Sequence, residues 1–153
     1  MSVSVVVKYL KVSADPAIDP YQAHEGEDAG ADLTLQKCKS VDGNTETWGT
    51  GIQVEIPPGY CGFLMARSSL QKWNRMLANN VGLIDSGYRG EIMCKLVPVD
   101  ANRRVPPVEE LVGQRAVQLV IMPVPAVKFV AQTEELDQTS QRGEHGFGST
   151  GTK

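Results

Sequence analysis

The chain has 153 residues, enough for one domain with its own core. Its 41% hydrophobic and 22% charged content is that of a globular protein, and 15 Lys plus Arg against 18 Asp plus Glu leave a formal charge of −3, which excludes a bulk basic field for duplex nucleic acid. No apolar run reaches the ~20 residues of a membrane span, and the apolar start, Met1 to Val12, has neither a basic flank nor a small-residue cleavage site, so neither a membrane segment nor a signal peptide is expected.

In chain order the pattern reads mostly as strands. Val3, Val5, Val7 and Tyr9 alternate with Ser4, Val6, Lys8 and Leu10, predicting an opening strand with apolar residues on both faces. Ile52, Val54 and Ile56 alternate with Gln53 and Glu55, and Pro57-Pro58-Gly59 forces a turn. Cys61, Phe63 and Met65 carry the next strand. Leu70, Trp73 and Leu77 sit at helical spacing between Ser69 and Asn79, which predicts one short helix with a serine N-cap. Asn79 to Glu91 reads as a β-hairpin around a Ser86-Gly87 turn, with Asp85 ending its first strand and Tyr88 opening its second. Ile92, Cys94 and Leu96 continue it, and Asn102 to Gly113 reads as a loop. Ala116 to Val124 is apolar enough for a buried strand, and Val127, Phe129 and Ala131 suggest one more. Many short strands with one helix imply an all-β sandwich, jelly roll or barrel over residues 1–132. Residues 133–153 read as a polar linker, Thr133 to Gln141, and a glycine-rich tail.

Three cysteines at wide spacing, Cys38, Cys61 and Cys94, do not make a disulfide framework. With only His24 and His145 and no CxxC, zinc is not expected. A reducing compartment follows: the cytoplasm, or the host cytoplasm or nucleus for a viral chain.

Three stretches carry chemistry, each with a plainer reading beside it. Gly146, Gly148 and Gly151 satisfy GxGxxG, and Gly146 to Gly151 has P-loop glycine spacing, but no helix can follow in the two residues that remain. What is left is anion-wrapping backbone, a forked cation at Arg142, hydroxyls at Ser149 and Thr150 and a flat face at Phe147, or else a solvated tail. Arg67, Ser68 and Ser69 place a guanidinium and two hydroxyls at a strand-to-helix junction, where phosphates and helix caps are both at home. The Asn79–Glu91 hairpin can offer backbone donors and acceptors to a flat base, with Asp85 either catalytic or stabilising the turn.

Together these stretches resemble the homotrimeric dUTP diphosphatases. Five family motifs stand in order: Ala29-Gly30-Ala31-Asp32-Leu33; Arg67-Ser68-Ser69-Leu70; Gly82-Leu83-Ile84-Asp85 through Tyr88-Arg89-Gly90-Glu91; Gly113-Gln114-Arg115-Ala116-Val117-Gln118-Leu119; and Arg142-Gly143 through Gly146-Phe147-Gly148-Ser149-Thr150-Gly151. Thr50-Gly51 and Ile56-Pro57 match the family's TG and IP pairs. Departures are Ala66 for a common proline, Ser69 for a frequent glycine, Gly87 for a second aspartate, and Glu144 and His145 for small residues. Ser69 echoes the related dCTP deaminases, which lack the glycine-rich Phe tail.

The resemblance implies a jelly-roll-like β-barrel in a homotrimer whose C-terminal arm is exchanged between subunits. It implies Mg²⁺-dependent hydrolysis of dUTP to dUMP and pyrophosphate, with no direct nucleic-acid or membrane binding. Asp85 would be the catalytic base and Tyr88 the ring under the deoxyribose. Asn79, Gly82, Leu83 and Ile84 would read uracil. Arg67, Ser68, Ser69 and Gln118 would contact phosphates, and Arg142, Phe147, Gly148, Ser149 and Thr150 would close over the nucleotide. Asp32 would anchor the metal through water, and Arg115 would be a ligand or a structural ion-pair partner. Deamination of dCTP on the same fold, and a regulatory barrel with a protein partner, stay open from sequence.

Overall fold

The structure, a computed structural model, describes residues 4–12, 19–141 and 143. Nine strands follow in order: β1 (Lys8–Lys11), β2 (Gly30–Thr34), β3 (Lys37–Asp42), β4 (Thr45–Glu55), β5 (Tyr60–Ala66), β6 (Arg75–Leu77), β7 (Val81–Ile84), β8 (Glu91–Pro98) and β9 (Arg115–Pro123). They form two antiparallel sheets. The first runs β1-β4-β8-β6 with β3 also on β4; the second runs β2-β9-β5-β7.

Period-2 patterning explains which faces meet. Ile92, Cys94 and Leu96 point from β8 into the core, as their alternation predicts. From the second sheet Leu33, Leu64, Val117 and Leu119 meet them, with Trp48 fully buried between. Each such large side chain contributes roughly 1.5–3 kcal/mol by leaving water. In β5 Gly62 and Leu64 face the core, whereas Cys61, Phe63 and Met65 share the other face.

A polar network holds the long β8–β9 connection. Arg75, 2% exposed, forks onto Glu46 at 2.6 and 3.1 Å and donates to the carbonyls of Trp73 (2.9 Å) and Pro106 (2.7 Å). The Trp48 indole N–H donates to the same Glu46 at 3.0 Å. The Asn74 amide donates to the Asp100 carbonyl at 2.8 Å. Buried charges survive only when satisfied in this way, and removing one partner typically costs about 3–5 kcal/mol.

The structure corrects five sequence expectations. The helix over Leu70 to Leu77 is a single 3₁₀ turn, Leu70–Trp73, because Asn74 takes a left-handed φ of 54° and reverses the chain into β6. Ser69 makes no side-chain cap bond there. A second 3₁₀ turn, Val108–Glu110, interrupts the expected loop. Val127, Phe129 and Ala131 pair with no strand among the described residues, and Phe129 is 95% exposed. The opening strand is confined to β1 among the described residues. The fifth correction concerns the hairpin: β7 pairs with β5 in the second sheet and β8 with β4 and β6 in the first, so the two arms belong to different sheets. Tyr88 lies in the crossover, and β8 begins only at Glu91.

Candidate active site

The splayed arms of the crossover make a cleft. β7 ends its sheet, so half of its backbone N–H and C=O groups face an unpaired edge. On β8, pairing with β6 covers only Leu96 to Pro98. Between these edges lies a cavity of about 380 Å³ with Asn79 and Gly82 on one wall and Met93 and Lys95 on the other. Leu64, Leu77 and Cys94 floor it. Burial, and next the Glu46 charge, pushes the Cys94 thiol up to about 12. An adjoining cavity of about 180 Å³ is lined by Leu83, Ile84, Asp85, Tyr88 and Met93.

Local structure fixes the crossover that carries Asp85. The Tyr88 N–H donates to the Asp85 carbonyl at 3.0 Å, closing a turn. Arg89 folds back and donates to the Ser86 (2.6 Å) and Tyr88 (2.9 Å) carbonyls. The Tyr88 hydroxyl donates to the Glu91 carbonyl at 2.9 Å, with its ring in space that a Cβ on Gly90 would occupy. Glu91 is clamped in turn: its carboxylate pairs with Lys39 and accepts the Gly51 N–H at 2.8 Å. That N–H is available because β4 bulges between Gly49 and Gln53, with Gly51 at φ +73°. Thr50, fully buried, donates to the Ile92 carbonyl at 2.8 Å. The Thr50-Gly51 pair therefore anchors the far end of the Asp85 crossover. Asp85 itself is exposed and its carboxylate accepts no hydrogen bond from the described residues.

A second cleft, of about 420 Å³, lies on the outer side of the other sheet and collects Asp32, Arg67, Ser68, Arg115 and Gln118. Register explains the grouping, since Asp32 faces Gln118 and Gln118 faces Met65 across the sheet, just before Arg67. Arg67 Nε lies 2.8 Å from Asp32, and Arg115 Nη1 lies 3.6 Å from its other oxygen. Two guanidinium groups thus share one carboxylate, which leaves a positive excess in this triad. The Arg115 guanidinium stacks over the Tyr21 ring at 4.5 Å from its centroid. Gln118 Nε2 donates to the Ala66 carbonyl at 3.2 Å. Asp28, also on this cleft, is committed to its own turn: the His24 backbone N–H holds its carboxyl below the usual range. Ser69 does not join the cleft; its hydroxyl is buried without a partner.

The structure thus sorts the sequence-derived residues into two groups. Asn79, Gly82, Leu83, Ile84, Asp85 and Tyr88 line the crossover cavities; Asp32, Arg67, Ser68 and Gln118 line the other cleft. Asp85 and Arg67 lie toward opposite ends of β5, because Ile84 pairs with Gly62 whereas Arg67 follows Ala66, while Gly82 sits midway opposite Leu64. The stretch from Gly62 to Ala66 alone spans ~13 Å at ~3.3 Å per residue. Arg142, Phe147, Gly148, Ser149 and Thr150 lie outside the described residues. Sequence reasoning assigned no role to Tyr21, Met93, Gly90 or Glu91. The last two sit inside the third motif, where their spacing to Tyr88 was a usable signal; a lone Tyr21 offers none.

Among the described residues no three His, Cys, Asp or Glu side chains converge as a metal site, and no helix is long and apolar enough to cross a membrane. The dUTPase family model matches residues 16–151. A deoxyuridine 5'-triphosphate nucleotidohydrolase of Clostridium acetobutylicum is 41% identical over 146 residues, which cover 94% of this chain and 96% of that one. Its namesake from Leifsonia xyli subsp. xyli is 40% identical over 134 residues, covering 86% of this chain and 84% of the relative. The dUTPase of Staphylococcus bacteriophage 80alpha, solved as a G164S mutant with dUpNHpp, superimposes with a TM-score of 0.75 at 25% identity over 96% of this chain and 99% of its own. With two sheets, a cleft at the crossover and a family match over most of its length, this chain belongs to the dUTPase family.

Proposed function

We propose that the chain hydrolyses dUTP to dUMP and pyrophosphate, which keeps uracil out of DNA and supplies dUMP for thymidylate synthesis. The observation that carries this reading is the base-sized cleft between the unpaired edges of β7 and β8, with Asp85 and Tyr88 beside it. Asn79 and the backbone of Gly82 to Ile84 hydrogen-bond the uracil edge; cytosine leaves those groups unpaired, a heavy cost. Tyr88 packs under the deoxyribose and leaves no room for a 2′-hydroxyl.

Asp85 holds a water and takes its proton as the oxygen attacks the α-phosphorus. The new bond is water oxygen to α-phosphorus; the bond that breaks joins that phosphorus to the bridging oxygen, and pyrophosphate leaves with the electron pair. Arg67, Ser68 and Gln118 take the phosphate charge, and Ser69, buried outside the cleft, does not. The donor set fits Mg²⁺ carried by the triphosphate. Asp32 already serves two guanidinium groups, but each carboxylate oxygen retains a lone pair for a metal-bound water. When bound, the ion supplies charge neutralisation on the phosphates.

Asp85 and Arg67 lie toward opposite ends of β5, so the complete site draws on more than one copy, and three fit the family resemblance. Residues 133–153 then form a linker and lid, with Arg142, Phe147, Gly148, Ser149 and Thr150 closing on the nucleotide of a neighbouring copy.

The test is pyrophosphate and ammonia release from dUTP, UTP, dCTP and dTTP with Mg²⁺, beside light scattering of the same sample. Expected are pyrophosphate from dUTP far above the other three, no ammonia, and the mass of about three chains. Ammonia from dCTP would overturn the reading in favour of deamination.

A further inference from the structure

We propose that Met93 is the specificity wall that excludes a 5-methyl pyrimidine from the base cleft, an inference that rests on the dUTP reading. Several observations converge on this side chain. β8 buries Ile92, Cys94 and Leu96, so Met93 and Lys95 project on the opposite side. Met93 lines both crossover cavities, the larger one with Asn79 and Gly82 and the smaller one with Asp85 and Tyr88. A residue common to both stands where the base meets the sugar. Its cross-strand partner is Gly49, which offers no side chain to draw the thioether away along the sheet, and Met93 stays 44% exposed.

The chemistry of a pyrimidine fixes what that wall must touch. The polar edge of uracil carries its N–H and carbonyl groups, and the polar wall of the cleft is the open edge of β7 with Asn79. A base that presents its polar edge there turns C5 and C6 to the opposite wall, and that wall is β8. An unbranched thioether extends along a flat hydrocarbon edge and meets a methyl added at C5. Tyr88 and Met93 then divide the selection: the ring tests the sugar, the thioether tests C5.

The experiment measures kcat/KM for pyrophosphate release from dTTP and from dUTP with Mg²⁺ in the parent protein and in Met93→Leu, Met93→Val and Met93→Ala. One methyl group in a shaped pocket discriminates by roughly 10–200-fold, so Met93→Ala should raise the dTTP-to-dUTP ratio on the order of tenfold or more. Met93→Val should fall between Leu and Ala. A role in packing alone would lower both substrates together and leave the ratio where it was. Competition by dTMP against dUMP, read by calorimetry, gives a dTMP-to-dUMP affinity ratio that should rise in the same order for any variant whose turnover is too low to measure, and Met93→Val carries the comparison if Met93→Ala fails to fold. An unchanged ratio across the series in a protein that turns over dUTP overturns the Met93 assignment alone. A parent protein that releases no pyrophosphate from dUTP overturns the dUTP reading and the assignment with it.

Discussion

Gly90→Ala isolates the sugar gate without touching a group that meets the nucleotide. Gly90 is absent from the positive-φ glycines, so alanine imposes no backbone strain. Its Cβ would instead fall inside the Tyr88 ring, and the ring must swing away. The swing breaks the 2.9 Å bond from the Tyr88 hydroxyl to the Glu91 carbonyl, a loss of about 0.5–1.5 kcal/mol and near the low end for exposed groups. Glycine replacement at a compatible φ returns about 0.4–1 kcal/mol through the unfolded chain. The two nearly cancel, so the melting temperature should move by no more than a few degrees, at ~2–4 °C per kcal/mol for a chain of this size. Selectivity should change much more. With the ring displaced, the UTP-to-dUTP ratio of kcat/KM should rise on the order of tenfold, as it should in Tyr88→Ala. A double-mutant cycle gives the decisive reading: in the Tyr88→Ala background, Gly90→Ala should add nothing. An equal effect of Gly90→Ala with and without the ring would refute the idea that Gly90 acts through Tyr88.

Three further outcomes follow from the same geometry. Asp85→Asn should retain dUTP binding by calorimetry but lose about 10²–10⁴-fold in turnover; near-parental turnover means that another group takes the proton. Truncation after Gln141 should leave the mass near three chains by light scattering while turnover collapses, and full-length rates in the truncated protein would return the tail to a solvated end. Folding keeps the Cys94 thiol neutral, raising it from 9.0 to about 12, so its contribution to stability is whole below about pH 9 and is lost as pH rises toward 12. Urea unfolding of the parent and Cys94→Ala should therefore show a stability difference that is constant below about pH 9 and shrinks above it; a difference that is flat to about pH 11 would count against burial as the cause.

Legibility in the sequence followed the range of the interactions. The strand over Ile92, Cys94 and Leu96 was readable because its period-2 pattern is set by one core face. The Ser86-Gly87 turn was readable too, since turn chemistry is local. Its consequence was not: strand pairing is non-local, and β7 found its partner in β5 instead of β8. The helix failed for a related reason. Leu70, Trp73 and Leu77 keep helical spacing, yet Leu70 and Leu77 reach the core from opposite sides of the Asn74 reversal. Asn74 tolerates the left-handed region and its amide captures the Asp100 carbonyl, a tertiary contact that no local pattern announces. In the candidate site, the motifs pointed to Arg67, Asp85 and Tyr88, whereas Met93 gains meaning only from the open edges of β7 and β8, and Tyr21 only from the Arg115 guanidinium stacked on its ring.

The features that look least finished in one copy argue together for the assembly. Phe63, Met65, Val81, Leu83, Val120 and Met122 make a continuous apolar stripe across the outer face of the second sheet, with Leu83 62% exposed. A stripe of this kind marks a surface that another molecule covers. The segment after β9 carries Val127, Phe129 and Val130 into solvent with no ladder to join. Asp85 and Arg67 lie toward opposite ends of β5, at separate cavities. A two-fold dimer that packs the stripe on itself would cover apolar area but satisfy both clefts only if each end met its opposite. A head-to-tail contact brings the Asp85 end of one copy to the Arg67 end of the next directly, and such a contact must close into a ring or run on as a filament. An arm exchanged between neighbours, as we propose, would give Phe129 a partner in the same ring and hold the closure. The site, the apolar face and the arm then have one explanation, and a monomer active on dUTP would remove it from all three.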